Sequence, residues 1–163
     1  MYTLWWYNAQ FVENIQQLIM IKFIRVDDVL PVRNEILRDG KLSLNECRFP
    51  TDAVEGAFHL GYYDGEILAC IVSLSPQTYS EFTGKGYQLR GMATLAQYQG
   101  KGLGTKLVNF AIVYLQGQKA NYLWCNARKK ALKFYSAIGF EIISDEFDVP
   151  GIGPHRVMYL KIQ

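Results

Sequence analysis

Between Gln99 and Lys106 the chain reads Gln-Gly-Lys-Gly-Leu-Gly-Thr-Lys, after an extended stretch and before a helical one. Glycines in such a place let the backbone take positive φ and approach a ligand closely. The amides that open a helix point outward at the positive end of its dipole. A phosphate or pyrophosphate suits this chemistry, with Lys101 and Lys106 as added charge. Spacing narrows the type. The order Gly104-Thr105-Lys106 lacks the Gly-Lys-Ser/Thr ending of a P-loop, and glycines at 100, 102 and 104 do not make the G-x-G-x-x-G of a dinucleotide site. A plain flexible turn is the alternative for this loop taken alone.

Other functional groups sit in telling places. Tyr87 to Leu95 alternates, with Leu89, Gly91, Ala93 and Leu95 expected on one face and Gln88, Arg90, Met92 and Thr94 on the other. A guanidinium inside a sheet needs a carboxylate or an anionic ligand. Arg128 comes at a helix start, where a cation opposes the dipole unless something anionic visits. Both arginines could instead pair with carboxylates such as Glu46 or Asp148. His155 follows Gly153-Pro154 on a rigid turn at the start of the last strand. Imidazole suits proton transfer near neutral pH, with strand-terminal packing as the alternative role. His59, between Phe58 and Leu60, reads as structural. Tyr135, on helical spacing alone, reads as a core aromatic.

The elements that must hold these residues follow from periodicity. Ile21 to Val26 reads as a strand, and Asp27 as the N-cap of a helix to about Arg38. Gly40 to Thr51 is polar and irregular. Ala57 to Tyr63 and Ile67 to Leu74 are strands joined by the hairpin signal Asp64-Gly65, and Ser75 to Gly86 is a loop. Leu103, Leu107, Phe110, Ala111, Tyr114 and Leu115 fit one helical stripe. Asn121 to Cys125 is a short strand, Arg128 to Ile138 a helix closed by Gly139, and Phe140 to Phe147 and Arg156 to Ile162 two last strands. The order β-α-β-β-β-α-β-α-β-β predicts a mixed α/β sheet with helices packed against it.

Residues 1–19 hold no Lys or Arg, and Trp5, Phe11, Ile15, Leu18 and Ile19 fall near helical spacing. They read as a short amphipathic accessory helix ahead of one domain, 20–163, with Met20 a second candidate start. The 163 residues are 50% apolar and 20% charged, enough for a single sizeable core. A net charge of +2 argues against a nucleic-acid or membrane-surface binder. Cys47, Cys70 and Cys125 are odd in number and form no CxxC, which excludes a full disulfide framework and the usual zinc spacings. Thiols in a reducing, cytoplasmic compartment are expected, and no apolar run approaches the roughly 20 residues of a membrane span.

Gln99-x-x-Gly102-x-Gly104 resembles the pyrophosphate loop, Gln/Arg-x-x-Gly-x-Gly/Ala, of the GNAT acetyltransferase superfamily. The stretch from Asn126 to Phe140 is similar to that superfamily's second signature, Asn-x(4)-Ala-x-x-Phe-Tyr-x-x-x-Gly-Phe, here Asn126, Ala131, Phe134, Tyr135, Gly139 and Phe140. Within the superfamily, Gln88 to Leu95, Leu123 to Arg128 and Ile152-Gly153-Pro154-His155 with Met158-Tyr159 resemble the glyphosate N-acetyltransferase group of bacterial enzymes. Phe58 to Gly61 and Ile36-Leu37-Arg38 match as well.

The resemblance implies a GNAT fold, a mostly antiparallel mixed sheet of about 6–7 strands. It implies acetyl-CoA as cosubstrate, without a metal, in a cleft where strand 87–95 diverges from strand 121–125. Met92, Ala93, Thr94, Gln99, Gly100, Lys101, Gly102, Leu103, Gly104, Thr105 and Asn126 would hold it. The pyrophosphate would lie on the amides of Gly100 to Thr105, and the pantetheine would pair with backbone at Met92 and Thr94. The thioester oxygen would meet a main-chain N–H near Met92. The acceptor implied is a small anionic amine clamped by Arg38, Arg90 and Arg128, with His155 as base and Tyr135 as proton donor to the departing thiolate. A peptide or protein amine, and a non-catalytic acyl-CoA sensor, are the alternatives. A monomer or homodimer is expected.

Overall fold

The computed structural model describes residues 20–80 and 82–163, and the expected helix within 1–19 lies outside them. Strand β1 (Ile21–Ile24) leads into helix α1 (Val26–Arg38), followed by 3-10 turns at Asn45–Cys47 and Pro50–Ala53. Strands β2 (Phe58–Asp64), β3 (Ile67–Pro76) and β4 (Gly86–Thr94) come next, then helix α2 (Leu103–Gly117) and strand β5 (Tyr122–Arg128). A 3-10 turn, Lys129–Ala131, precedes helix α3 (Leu132–Ile138), and β6 (Glu141–Ile142), β7 (Phe147–Val149) and β8 (Gly153–Lys161) complete the described chain.

All eight strands join one sheet in the order β1-β2-β3-β4-β5-β8-β6, with β7 also on β8. Every neighbouring pair is antiparallel except β4 and β5. The mixed α/β architecture is the expected one. On one face Leu60, Val72, Leu74, Leu89 and Leu123 pack with Leu107, Val108, Ala111 and Leu115 of α2 and Tyr135 of α3. On the other, Ile71 and Ala93 pack with Val29, Leu30 and Val32 of α1. No described helix is long and apolar enough to cross a membrane. All three cysteines are free and buried.

Several expected boundaries move, each for a local reason. Helix α1 starts at Val26 because Arg25 is its N-cap and the Asp28 carboxylate accepts the Arg25 amide at 3.0 Å, so Asp27 lies inside the first turn. The β2–β3 hairpin turns on Gly65 and Glu66, since Asp64 pairs with Ile67 in the ladder. The single strand expected from Phe140 to Phe147 is instead β6 and β7, both paired to β8. Strand β8 begins at Gly153, three residues earlier than expected, so His155 stands within it. Helix α3 begins at Leu132, after the 3-10 turn, and Gly139 ends it at φ +110° as expected.

One correction reshapes the site. Ile71 pairs with Ala93 while Ser73 pairs with Arg90, so β4 carries one extra residue in this interval. That is a β-bulge, and Gly91 at φ +60° supplies the backbone conformation it needs. The alternation of faces breaks there. Leu89 faces α2 and Ala93 faces α1, although the pattern predicts them on one side. Arg90 and Met92, expected to share a face, end on opposite ones.

Candidate active site

Strands β4 and β5 pair only from Gly86 to Gln88 against Tyr122 to Trp124, and then part. The bulge turns β4 away while β5 continues beside β8 as far as Arg128. The gap is a cleft of about 700 Å³. Met92, Ala93 and Thr94 line it from β4, Asn126 and Arg128 from β5, Arg38 from α1, Tyr135 from α3 and His155 from β8. Gln99, Gly100, Gly102, Leu103, Gly104 and Thr105 line its loop end. The expected residues thus converge on one cavity, apart from Lys101. Its ammonium lies over the ring of Tyr98, 4.9 Å from the centroid, and the ring is what reaches the cleft.

The loop end is built from main chain. Gly102 is the N-cap of α2 at φ +76°, and its carbonyl accepts the Lys106 amide at 3.1 Å. The amides of Leu103, Gly104 and Thr105 precede that first intrahelical bond and have no carbonyl within the helix to reach. These donors fit a pyrophosphate. A Cβ on Gly104 would lie 2.8 Å from Met92 Cε and 3.1 Å from the Phe134 ring, so glycine is what lets α2 approach β4 and α3 so closely. Gln99 ties the loop down, its Nε2 donating to the Thr94 carbonyl at 3.0 Å. At the bulge, Gly91 and Met92 have no ladder partner on β3.

The other end is cationic. Arg128 donates to the Leu37 carbonyl at 3.2 Å, at the C-terminal end of α1, where Arg38 also sits. Among the described residues, no carboxylate lies within ion-pair distance of Arg38, Arg90 or Arg128. Glu46, one proposed partner, instead accepts from the Ser43 amide and hydroxyl at 2.8 and 2.6 Å. Burial, with the charges of Arg33 and Arg38, pushes the Arg90 guanidinium below its ordinary pKa. Burial and Arg38 do the same to Arg128. A guanidinium is not deprotonated in proteins, so both groups stay charged.

His155 faces Arg128 across the β5–β8 ladder and Phe147 across β7–β8, its ring stacked on Phe147 at 6.0 Å between centroids. Its Nδ1 lies 2.7 Å from the Gly153 carbonyl oxygen. A carbonyl only accepts, so in the neutral ring Nδ1 carries the proton and Nε2 keeps its lone pair. Tyr135 is buried, and burial pushes its phenol well above the usual value, with Cys125 and Cys70 adding to the effect. It therefore holds its proton at neutral pH and is a donor.

Sequence reasoning missed the layer behind Arg90. Arg33 is 1% exposed, and its guanidinium donates to both Asp52 carboxylate oxygens, to the Cys47 carbonyl and to Ser73 Oγ. Ser73 in turn meets His59 Nδ1 at 2.7 Å, which gives His59 the structural place expected of it. A signal existed. Arg33 falls four residues after Val29 and three before Ile36, on the apolar stripe of α1, where a charge must have a buried partner. Phe49, whose ring lines the cleft, gave no such signal because it sits in an irregular loop.

Residues 25–140 match the family model described as the acetyltransferase (GNAT) family. A protein of Bacillus subtilis (strain 168), the uncharacterized N-acetyltransferase YitI, is 39% identical over 144 residues, spanning 87% of this chain and 95% of that one. Among solved structures, FeeM, an N-acyl amino acid synthase from uncultured soil microbes, superposes with a TM-score of 0.71 at 13% identity, covering 87% of this chain and 90% of its own. An aminoglycoside 6'-N-acetyltransferase complexed with coenzyme A superposes with a TM-score of 0.64 at 14% identity, covering 88% and 97%. The structural likenesses bear on the fold.

Proposed function

The chain belongs to the acetyltransferase (GNAT) family, and on that premise we propose that it is an acetyl-CoA-dependent N-acetyltransferase acting on a small acidic amine, an amino acid or an aminophosphonate. One observation carries the acceptor class: Arg38, Arg90 and Arg128 line one cleft, and among the described residues none has a carboxylate partner. Partly desolvated guanidiniums favour carboxylate or phosphonate groups, which they bind with forked, charge-assisted hydrogen bonds. A polyamine or a lysine side chain would bring like charge to the same place. The resemblance to the glyphosate N-acetyltransferase group supports the same class of acceptor.

Acetyl-CoA, when bound, supplies an activated acyl thioester. The amides that open α2 and the loop from Gln99 to Thr105 would hold its pyrophosphate, and the unpaired main chain at Met92 offers an N–H toward the acyl oxygen. The arginines orient the acceptor. His155 Nε2, left bare by the Gly153 contact, takes a proton from the acceptor ammonium so that the free amine can attack. Tyr135 Oη delivers a proton to the leaving sulfur. Holding two reactants in one cleft contributes much of the acceleration. On this reading the protein works in the reducing cytoplasm with its cysteines as thiols.

The test follows release of the CoA thiol from acetyl-CoA with L-aspartate, L-glutamate and aminomethylphosphonate, against neutral amines, spermidine and a lysine peptide. Turnover confined to the acidic amines and largely lost in His155→Ala is expected. Turnover of spermidine or peptide would overturn the acceptor class while leaving acetyl transfer intact. Silence throughout, with acetyl-CoA still bound, would favour a sensor domain over an enzyme.

A further inference from the structure

Arg90 has a ring where a half-buried guanidinium ordinarily has a carboxylate. Its Cζ lies 4.4 Å from the centroid of Phe49. Arg33 lies over the same ring at 4.0 Å, but its charge is matched by Asp52, whose two oxygens accept from it at 2.7 and 2.8 Å. Asp52 also accepts the Phe49 amide at 2.8 Å. One carboxylate therefore neutralises Arg33 and pins the backbone that carries the ring. There is little slack around it: a Cβ on Gly91 would lie 2.9 Å from Arg33 Nε and 3.0 Å from Phe49 Cε2. The bulge glycine, the buried ion pair and the ring form one packed unit.

We propose that Phe49 is the positioning residue for Arg90, holding its guanidinium in the cleft by a cation–π contact while leaving its charge and its in-plane donors free for the acidic group of the acceptor. A carboxylate in that place would occupy the N–H fork and cancel the charge. A ring takes only the face of the guanidinium, and the donors lie along its edge. The Arg33–Asp52 pair acts through Phe49 and has no direct part in binding. This inference rests on the reading of Arg90 as an acceptor-binding residue.

The experiment titrates the full-length protein with phosphonoacetate by calorimetry, with acetyl-CoA affinity and Tm measured on the same samples. Phe49→Leu is expected to weaken phosphonoacetate by about tenfold, the scale of one partly desolvated cation–π contact. Acetyl-CoA affinity should stay within about twofold, because the contacts proposed for the pyrophosphate are main-chain amides of the 99–105 loop and not the ring. Phe49→Tyr keeps the ring and should stay within about threefold of wild type for the probe. Phe49→Met, apolar but without a ring, repeats the loss if the leucine variant folds poorly. Undiminished phosphonoacetate binding in Phe49→Leu or Phe49→Met overturns the proposal. So does a parallel loss of both ligands with a lowered Tm, which marks a merely structural residue. Arg90→Gln separates the two levels. If it binds the probe as wild type does, or if wild type does not bind it, the acidic-acceptor reading falls and the proposal with it.

Discussion

On the α2 side of β4, the cleft is made of main chain and small residues drawn from one stretch of sequence. Gly100, Gly102 and Gly104 open the loop, and helix amides are the donors it presents. On the α1 side it is made of long side chains from distant segments: Arg38, Phe49, Arg90 and Arg128, with Arg33, Asp52, Ser73 and His59 behind them. The first half relies on backbone geometry that any chain with that loop reproduces. The second relies on buried charge, which is stable only while every partner is present. The halves should therefore fail differently: substitutions on the loop side should change cosubstrate affinity at a modest cost in stability, and those behind the arginines should damage stability more deeply, acceptor binding or both.

The sharpest break comes at His155. His155→Ala removes the proposed base and should lower kcat by about 10²–10⁴-fold, the usual range for a positioned proton acceptor, with acetyl-CoA affinity unchanged. A loss under about tenfold would remove His155 from the reaction. Next is Asp52→Ala, which strands Arg33, 1% exposed, without its carboxylate. A broken buried pair costs about 3–5 kcal/mol, readable as a shift in the urea midpoint. Stability within about 1 kcal/mol of wild type would mean that water replaces the pair freely. On the loop side, Gly104→Val places a side chain where Met92 and Phe134 already stand, and overpacking of this kind costs about 1–3 kcal/mol. Acetyl-CoA KM should rise about tenfold while acceptor KM stays flat. An equal rise in both would erase the division between the halves.

Acid should act on the α1 side alone. Burial pushes the Asp52 carboxyl up, but the Arg33 hydrogen bonds and charge, with the Phe49 amide, outweigh it and hold the group below the ordinary 3.8. Burial dominates at His59 and, with Arg33, pushes it below the ordinary 6.5 despite the pull of Asp52. In both cases the unfolded chain takes up the proton first, so the unfolded state binds more protons and stability falls as pH falls. The His59 share is lost as pH drops below 6.5, and the Asp52 share as it drops below 3.8. Urea titrations across this range should show an upper descent from His59 and a lower one from the carboxyls, where Glu46, held below its ordinary 4.5 by the Ser43 hydrogen bonds, adds to Asp52. His59→Gln should abolish the upper one and leave the lower.

The same contrast explains what could be read from the sequence. The loop, α2 and α3 are local: a 3.6-residue period, a glycine at a helix end and a motif of fixed spacing specify them without reference to the rest of the chain. The succession of elements as far as the glycine that ends α3 was legible for the same reason. The faces of β4 were not, because a bulge is one residue of register and Gly91 looks like any small residue in an alternating run. The expected strand Phe140–Phe147 divided into two pieces because pairing with β8, and not its own composition, decides where it is extended. Phe49 lies 41 residues from Arg90 in a loop with no period, so no local pattern could join them.

The smallest effect belongs to the one side chain that the loop half uses as a latch. Gln99 is exposed, and its Nε2 donates to the Thr94 carbonyl at 3.0 Å across the turn that ends β4. Both groups can turn to water when the bond is broken, so no buried donor is stranded and the net contribution is about 0.5–1.5 kcal/mol at most. Gln99→Ala should therefore leave Tm nearly unchanged. What it loosens is the placement of the Gly100–Gly102 turn ahead of the α2 amides, and the loss should appear as a rise of a few fold in acetyl-CoA KM, with kcat and acceptor KM constant. A change in acceptor KM would show that the loop communicates with the arginines across β4. The bulge at Gly91 is the shortest path for that, because it lies in the same strand between Thr94 and Arg90.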